Sequence, residues 1–214
     1  MQLPKFIKKK ECYRLSWFSY LILFLLIILF VDFYRNNIYK YLSPIKPIKA
    51  NVLVIEGWIE DYGLKKAIQI INDSNYDLIL TTGGPLELGY LATHFVTNAE
   101  LAKRTLIELG VDSARIQAVS SQFTLTDRTL NSALTLKIWL KKNHPDIEKF
   151  NLISLGTHSR RSWYLFKKSM PEKEIGINAL RDIRFEHEKW WKSSKGARTV
   201  ITETIGYYYV YLFM

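Results

Sequence analysis

The chain is poor in the residues on which many active sites are built. Its one cysteine is Cys12, so residues 13–214 hold no thiol and cannot use disulfides. The four histidines, at 94, 144, 158 and 187, have no metal-ligand spacing with one another, and no metal site is expected. G-x-G-x-x-G, Walker A and G-x-S-x-G runs are all missing, which excludes a standard dinucleotide site, a P-loop and a hydrolase nucleophile elbow at sequence level. Acidic residues number 20 against 30 Lys and Arg, a formal charge of +10. That excess is local: residues 1–50 hold nine basic and two acidic residues, leaving 21 and 18 in residues 51–214, a balance of +3. A surface that tracks nucleic-acid phosphates needs more, so nucleic acid is not an expected partner. Repeats and low-complexity segments are absent too, and 48% hydrophobic residues mark a folded chain.

What is present begins with an uncharged run, Leu15–Val31, next to the basic N-terminus. It is near the lower length limit for a membrane-spanning helix. Trp17 and Tyr20 on one side and Phe33 and Tyr34 on the other resemble interfacial aromatics. A cleaved signal peptide is the competing reading, but the bulky Asp32–Asn36 stretch offers no small-residue cleavage site. A buried core helix also competes, although Leu21–Val31 has no polar face. The expected organisation is a basic segment at 1–14, a transmembrane anchor at 15–34 with the lipid bilayer as partner, a linker at 35–49 containing Pro44 and Pro47, and one domain at 50–214. Lys5, Lys8, Lys9, Lys10 and Arg14 before the run outnumber Arg35 and Lys40 close after it. The positive-inside tendency then puts the N-terminus in the cytoplasm and the domain on the extracytoplasmic, periplasmic side of the inner membrane.

Within 50–214, short apolar runs alternate with helical patterns. Asn51–Glu56, Asp77–Thr82, Phe150–Leu155 and a weaker Arg115–Ser120 read as strands, with a further candidate at Glu174–Asn178. Leu64, Ala67, Ile68 and Ile71 recur at helical spacing. A helix from about Thr97 to Leu109 opens on the capping box Thr97-Asn98-Ala99-Glu100, and another spans Asp127–Lys142 with Leu130, Leu134, Ile138 and Trp139 on one face. This alternation means βαβ units, hence an α/β fold with a parallel sheet sandwiched by helices. Val200–Met214 is apolar and aromatic, short for a span and interrupted by Glu203. It is expected to pack on the sheet, with a second membrane contact as the alternative.

Three strands end in glycine at what should be the carboxyl edge, where open α/β folds bind ligands: Glu56-Gly57, Gly83-Gly84 and Gly156-Thr157-His158. Such turns also need glycine for steric reasons alone, but three in register point to a shared cleft. The third feeds a helix carrying His158, Arg160 and Arg161, and a helix N-terminus with basic side chains suits a phosphate or carboxylate. His158 as a simple cap is the competing reading. Glu100 is explained by its capping box yet follows the Gly83-Gly84 loop; Asp127, Thr129 and Ser132 share that ambiguity, and His94 is either a cleft or a surface residue. His144 and His187 are expected to be solvated.

Together these motifs resemble the YdcF/SanA/ElyC family of bacterial envelope proteins over about residues 50–178. They are the strand and turn Val52–Gly57, Thr82-Gly83-Gly84, Asn98-Ala99-Glu100 followed by Glu108-Leu109-Gly110-Val111, Thr129–Ala133, and Ser154–Ser162 with His158 and Arg161 at matching spacing. The chain departs from the family pattern at Asn131-Ser132, where a Glu-Asn pair is usual, and at Glu56-Gly57-Trp58 in place of a Gly-rich turn. The resemblance implies a Rossmann-like domain, a frequent N-terminal anchor, and a role in peptidoglycan or lipid-carrier metabolism. It also implies a phosphorylated or nucleotide-like small molecule as ligand and names no cofactor or settled reaction. The leading expectation is an anion site: Arg161 and its helix N-terminus hold the ligand, His158 donates a hydrogen bond or acts as general acid, and Glu56, Gly57, Gly83, Gly84, Glu100, Thr129, Gly156 and Thr157 surround it. The alternatives are a non-catalytic envelope scaffold and a transferase or hydrolase acting on lipid-linked sugars.

Overall fold

A computed structural model describes residues 14–86 and 97–214; most of the basic segment, Cys12 and His94 lie outside them. Contacts divide the chain into two units, residues 1–37 and 38–214. The first is formed by the greater part of helix α1 (Trp17–Leu42). Among the described residues α1 is the one helix long and apolar enough to cross a membrane. Its 26 residues amount to about 39 Å of helix, more than the ~30 Å hydrocarbon core requires.

The second unit is built on one six-stranded sheet: β1 (Ile45–Lys46), β2 (Val52–Glu56), β3 (Leu78–Gly83), β4 (Ile116–Ser120), β5 (Lys149–Leu155) and β6 (Glu174–Leu180), in the order β1-β6-β5-β2-β3-β4. All neighbours are parallel except the edge strand β1, which runs antiparallel to β6. The helices are α2 (Asp61–Asp73), α3 (Asn98–Glu108), α4 (Arg128–Asn143), α5 (His158–Ser169) and α6 (Ser194–Phe213). Successive strand residues face opposite sides, so β2 feeds two cores. Leu53 and Ile55 join Leu64, Ala67, Ala102 and Leu106 of α2 and α3. Val52 and Val54 join Ala133, Leu136, Leu140 and Phe166 of α4 and α5.

The strand order positions the site. From β2 the chain moves outward through β3 to β4, then returns to β5 on the other side of β2 and continues to β6. The two directions part between β2 and β5, and at such a point the carboxyl ends of the strands open a crevice for ligands. Glu56 ends β2 and Gly156-Thr157 follow β5 there.

Three local expectations differ from the structure. The 35–49 linker is the end of α1 plus β1. Leu42 is wholly buried, and Asn151 of β5 clasps Ile48, accepting from its N–H at 2.9 Å and donating to its carbonyl at 2.8 Å. In α4 the buried face is Ser132, Ala133, Leu136 and Leu140, while Leu134 and Ile138 are exposed. Small Ser132 and Ala133 let this helix approach the sheet closely, and their neighbours are turned outward. The C-terminal segment is α6, which packs on α5 and the preceding turn and not on the sheet. Both sheet faces are already covered by α2–α3 and α4–α5.

Candidate functional site

A cavity of about 540 Å³ opens at the carboxyl edge, with His158 on its wall. Gly156, at φ +52, makes the left-handed turn that starts α5 directly at His158, and Asp182 packs where a side chain would stand. The ring meets three elements. Its Nδ1 lies 3.0 Å from Glu203 Oε1 of α6 and 3.0 Å from Arg161 Nη2. Its Nε2 lies 3.4 Å from Thr129 Oγ1, in the first turn of α4, and 3.9 Å from Glu56 Oε1. Trp58 packs edge-on against it at 4.8 Å. A guanidinium only donates, so a proton on Nδ1 goes to Glu203; with the proton on Nε2, Nδ1 accepts from Arg161. Either ring nitrogen therefore has a partner in either proton state.

Three cavity carboxylates, Glu203, Glu56 and Asp182, each have their own donors. Burial alone would raise Glu203, but the His158 charge, the bonds from His158 and Arg161 and the Arg161 charge outweigh it and hold Glu203 down at about 2. Arg161 grips it through Nε (2.9 Å to Oε2) and Nη2 (3.0 Å to Oε1). Glu56 is 3% exposed and accepts from Ser162 Oγ, itself fully buried, at 2.9 and 3.0 Å. Asp182, just past β6, is buried too, yet the fork of Arg184 (2.8 and 2.7 Å) and the Tyr62 hydroxyl (3.1 Å) lower its pKa.

The structure brings together most of the expected residues. Glu56, Gly83, Gly84, Thr129, His158 and Arg161 line the cavity. Gly57 lies behind it: its N–H donates to Thr82 O at 2.7 Å, and a side chain there would stand 2.6 Å from the Asn98 carbonyl carbon. Glu100 does not line the cavity; its N–H donates to Thr97 Oγ1 at 3.1 Å, the structural half of its ambiguity. Thr157 is buried behind the turn, and its hydroxyl has no hydrogen-bond partner. Arg160 and Arg161 separate: Arg161 faces the cavity, whereas Arg160 lies over the Tyr41 ring at 3.8 Å and donates to the Tyr41 carbonyl. Against expectation His187 is not solvated. It stacks on Tyr39 at 4.2 Å and bonds to the Tyr39 hydroxyl at 3.0 Å.

Sequence reasoning missed Trp58, Asp182, Arg184, Glu203 and the Ser121–Leu125 wall. One signal was available for Glu203: it is the lone acid in an apolar run. Asp182 and Arg184 follow the last strand and are brought in by topology alone. Among the described residues no group of three or more His, Cys, Asp or Glu could hold a metal ion.

Two features favour a charged ligand. Helices α4 and α5 begin side by side at the cavity, and neither Asp127 nor Thr157, the residues before them, makes a side-chain cap. Thr82 lines the cavity, and its hydroxyl is buried with no hydrogen-bond partner. No protein-family model matches the chain, and no curated protein matches it significantly.

Proposed function

We propose that residues 38–214 form a Rossmann-like, YdcF-type domain that binds an anionic, phosphate-bearing ligand in the His158 cavity, held by α1 as a single-pass anchor on the extracytoplasmic side of the inner membrane. The observation that carries this reading is the meeting of two helix N-termini at His158, marked by the 3.4 Å approach of Thr129 Oγ1 to Nε2. Their partial positive charges add at that end of the cavity. Of the cavity carboxylates, Glu203 and Asp182 are each paired with an arginine fork, while Glu56 has the Ser162 hydroxyl as its donor and His158 Nε2 3.9 Å away. Arg161 acts at one remove from the ligand: it fixes Glu203, and Glu203 fixes His158. With both ring nitrogens protonated, Nδ1–H donates to Glu203 and Nε2–H donates a hydrogen bond to the ligand's oxygen, while Gly83-Gly84 and the Thr82 hydroxyl give it a close backbone and one more donor. A role in cell-envelope or lipid-carrier metabolism follows from the motif resemblance.

The test is a thermal-shift and calorimetric screen of the full chain in detergent against inorganic phosphate, nucleotides and lipid-carrier phosphates. A stabilising ligand is expected, and His158→Ala should weaken it by about 10- to 100-fold, the worth of one hydrogen bond to a charged group. A flat response to every phosphate, or unchanged affinity in the variant, sinks the reading.

A second reading, turnover of a lipid-linked sugar by a transferase or hydrolase, is favoured by Glu56. A carboxylate 3.9 Å from the cavity-facing nitrogen of a histidine, whose other nitrogen meets a second carboxylate, is equipped to move a proton. Glu56→Gln keeps the Ser162 contact and the shape. It should leave ligand affinity within a few-fold while abolishing turnover; loss of binding with retained turnover would exclude this role.

A further inference from the structure

Helix α6 links the cavity to a second surface. On one side Val200, Tyr207 and Val210 are buried and Glu203 lines the cavity. On the other, Ile201, Ile205, Tyr208, Tyr209 and Leu212 recur at i, i+4, i+7, i+8 and i+11, a stripe about 100° wide opposite the buried face. All five are exposed, Ile205 and Leu212 by 66% each. Isolated exposed apolar residues are ordinary; a continuous stripe of this kind marks a contact surface.

We propose that this stripe rests on the headgroup region of an anionic lipid bilayer, with α6 lying in the interface. Three observations select a bilayer. Tyrosines interleaved with Ile and Leu have the amphipathic character favoured at the membrane–water boundary. Charge is arranged to match: Lys195 and Arg198 precede the stripe, and residues 204–214 contain no acid. Chain connectivity limits how far the stripe can be from the anchor: Tyr207 bonds through its hydroxyl to Tyr41 at 3.2 Å, and Tyr41 follows Val31, the end of the uncharged run, by ten residues in the sequence. The inference rests on the proposed anchor, and it adds a position for the site. Cavity and stripe lie on opposite sides of one helix, so the cavity stands about 10–12 Å from the lipid surface.

The experiment uses the full chain carrying Cys12→Ser, reconstituted in nanodiscs of phosphatidylethanolamine and phosphatidylglycerol, with a nitroxide placed in turn through Ile205→Cys, Tyr208→Cys, Glu172→Cys and Leu26→Cys. Accessibility to oxygen and to a water-soluble nickel chelate reads depth. Labels at 205 and 208 are expected about 5–10 Å into the headgroup–acyl boundary. The label at 172 should be aqueous and the label at 26 in hydrocarbon. Aqueous labels at 205 and 208 with a hydrocarbon label at 26 overturn the α6 contact alone. Spin–spin broadening at 208 overturns it in favour of a second copy of the chain on this face. An aqueous label at 26 overturns the anchor, and the inference with it.

Discussion

Glu203 shows how much one side chain from a distant helix can decide. It holds the Arg161 fork and meets His158 Nδ1, so the orientation of the imidazole depends on a residue 45 positions away. Its carboxyl is held at about 2 against an ordinary 4.5. A carboxyl with a depressed folded pKa stabilises the fold above its unfolded pKa and loses that contribution as pH falls through the folded value. A depression of this size corresponds to about 3 kcal/mol, fully present above pH ~5 and lost progressively toward pH ~2. Glu203→Gln should therefore lower stability at pH 7 by about 2–4 kcal/mol, because Arg161 and His158 lose the carboxylate charge and one of its two acceptor oxygens in a mostly buried site. Urea unfolding across pH 3–7 checks both parts: the wild type should gain stability relative to the variant as pH rises through the acid range. A constant difference across that range would mean that the carboxylate charge is not what is used.

The elements of the domain were legible where the signal was local. Buried parallel strands are continuous apolar runs with turn residues at their ends, and for that reason β2, β3 and β5 stand in the sequence within a residue or two of their structural limits. His158 and Arg161 were legible for the same reason, since strand, turn and helix start lie within a dozen residues. The buried face of α4 was not legible, because two rows of apolar residues compete and only the packing partner chooses between them. Nor was β1, a two-residue strand held by a residue in another element. It pairs with β6, and two residues further on Asn151, 1% exposed, bonds Ile48 twice and donates to the Tyr76 hydroxyl at 3.0 Å. Asn151→Ala takes the partner from the buried Tyr76 hydroxyl and from the half-buried amide and carbonyl of Ile48, and should cost about 1–3 kcal/mol. Hydrogen exchange should locate the damage, with the Ile48 amide losing protection well before β2 and β5 do. Equal loss across the sheet would show that Asn151 supports the core at large and not the edge. At the paired turns, Gly57→Ala pushes a side chain into the Asn98 backbone and within 2.8 Å of the Thr82 carbonyl oxygen. It should cost about 1–3 kcal/mol by prising α3 from the end of β2, visible as a lower denaturation midpoint with an unchanged slope.

At the scale of the molecule, the boundary between anchor and domain does not fall where composition changes. The uncharged run ends at Val31 and the first buried strand begins at Val52, so the sequence invites a domain starting near residue 50. Contacts place the division at Asn37–Ile38, inside α1. The end of that helix is domain core: Ile38 is 7% exposed and Leu42 fully buried. Tyr39 stacks on His187, whose Nε2 lies 2.5 Å from the Asp182 carbonyl oxygen at the cavity's edge. A chain starting at residue 38 keeps these contacts, and a chain starting at 50 loses them together with β1 and the Asn151 clasp. Burial of two large aliphatic side chains alone is worth about 3–6 kcal/mol, a large share of the 5–15 kcal/mol by which most domains are stable. At about 2–4 °C per kcal/mol for a domain of this size, the 50–214 chain should melt about 10–20 °C below the 38–214 chain in the same detergent. The loss should be shared by the site, because Tyr39 and His187 buttress Asp182 and hence the Arg184 side of the cavity. Calorimetry of the two truncations decides it. Coincident melting points would mean that the end of α1 merely lies against the domain, and that the domain folds from Val52 onward without it.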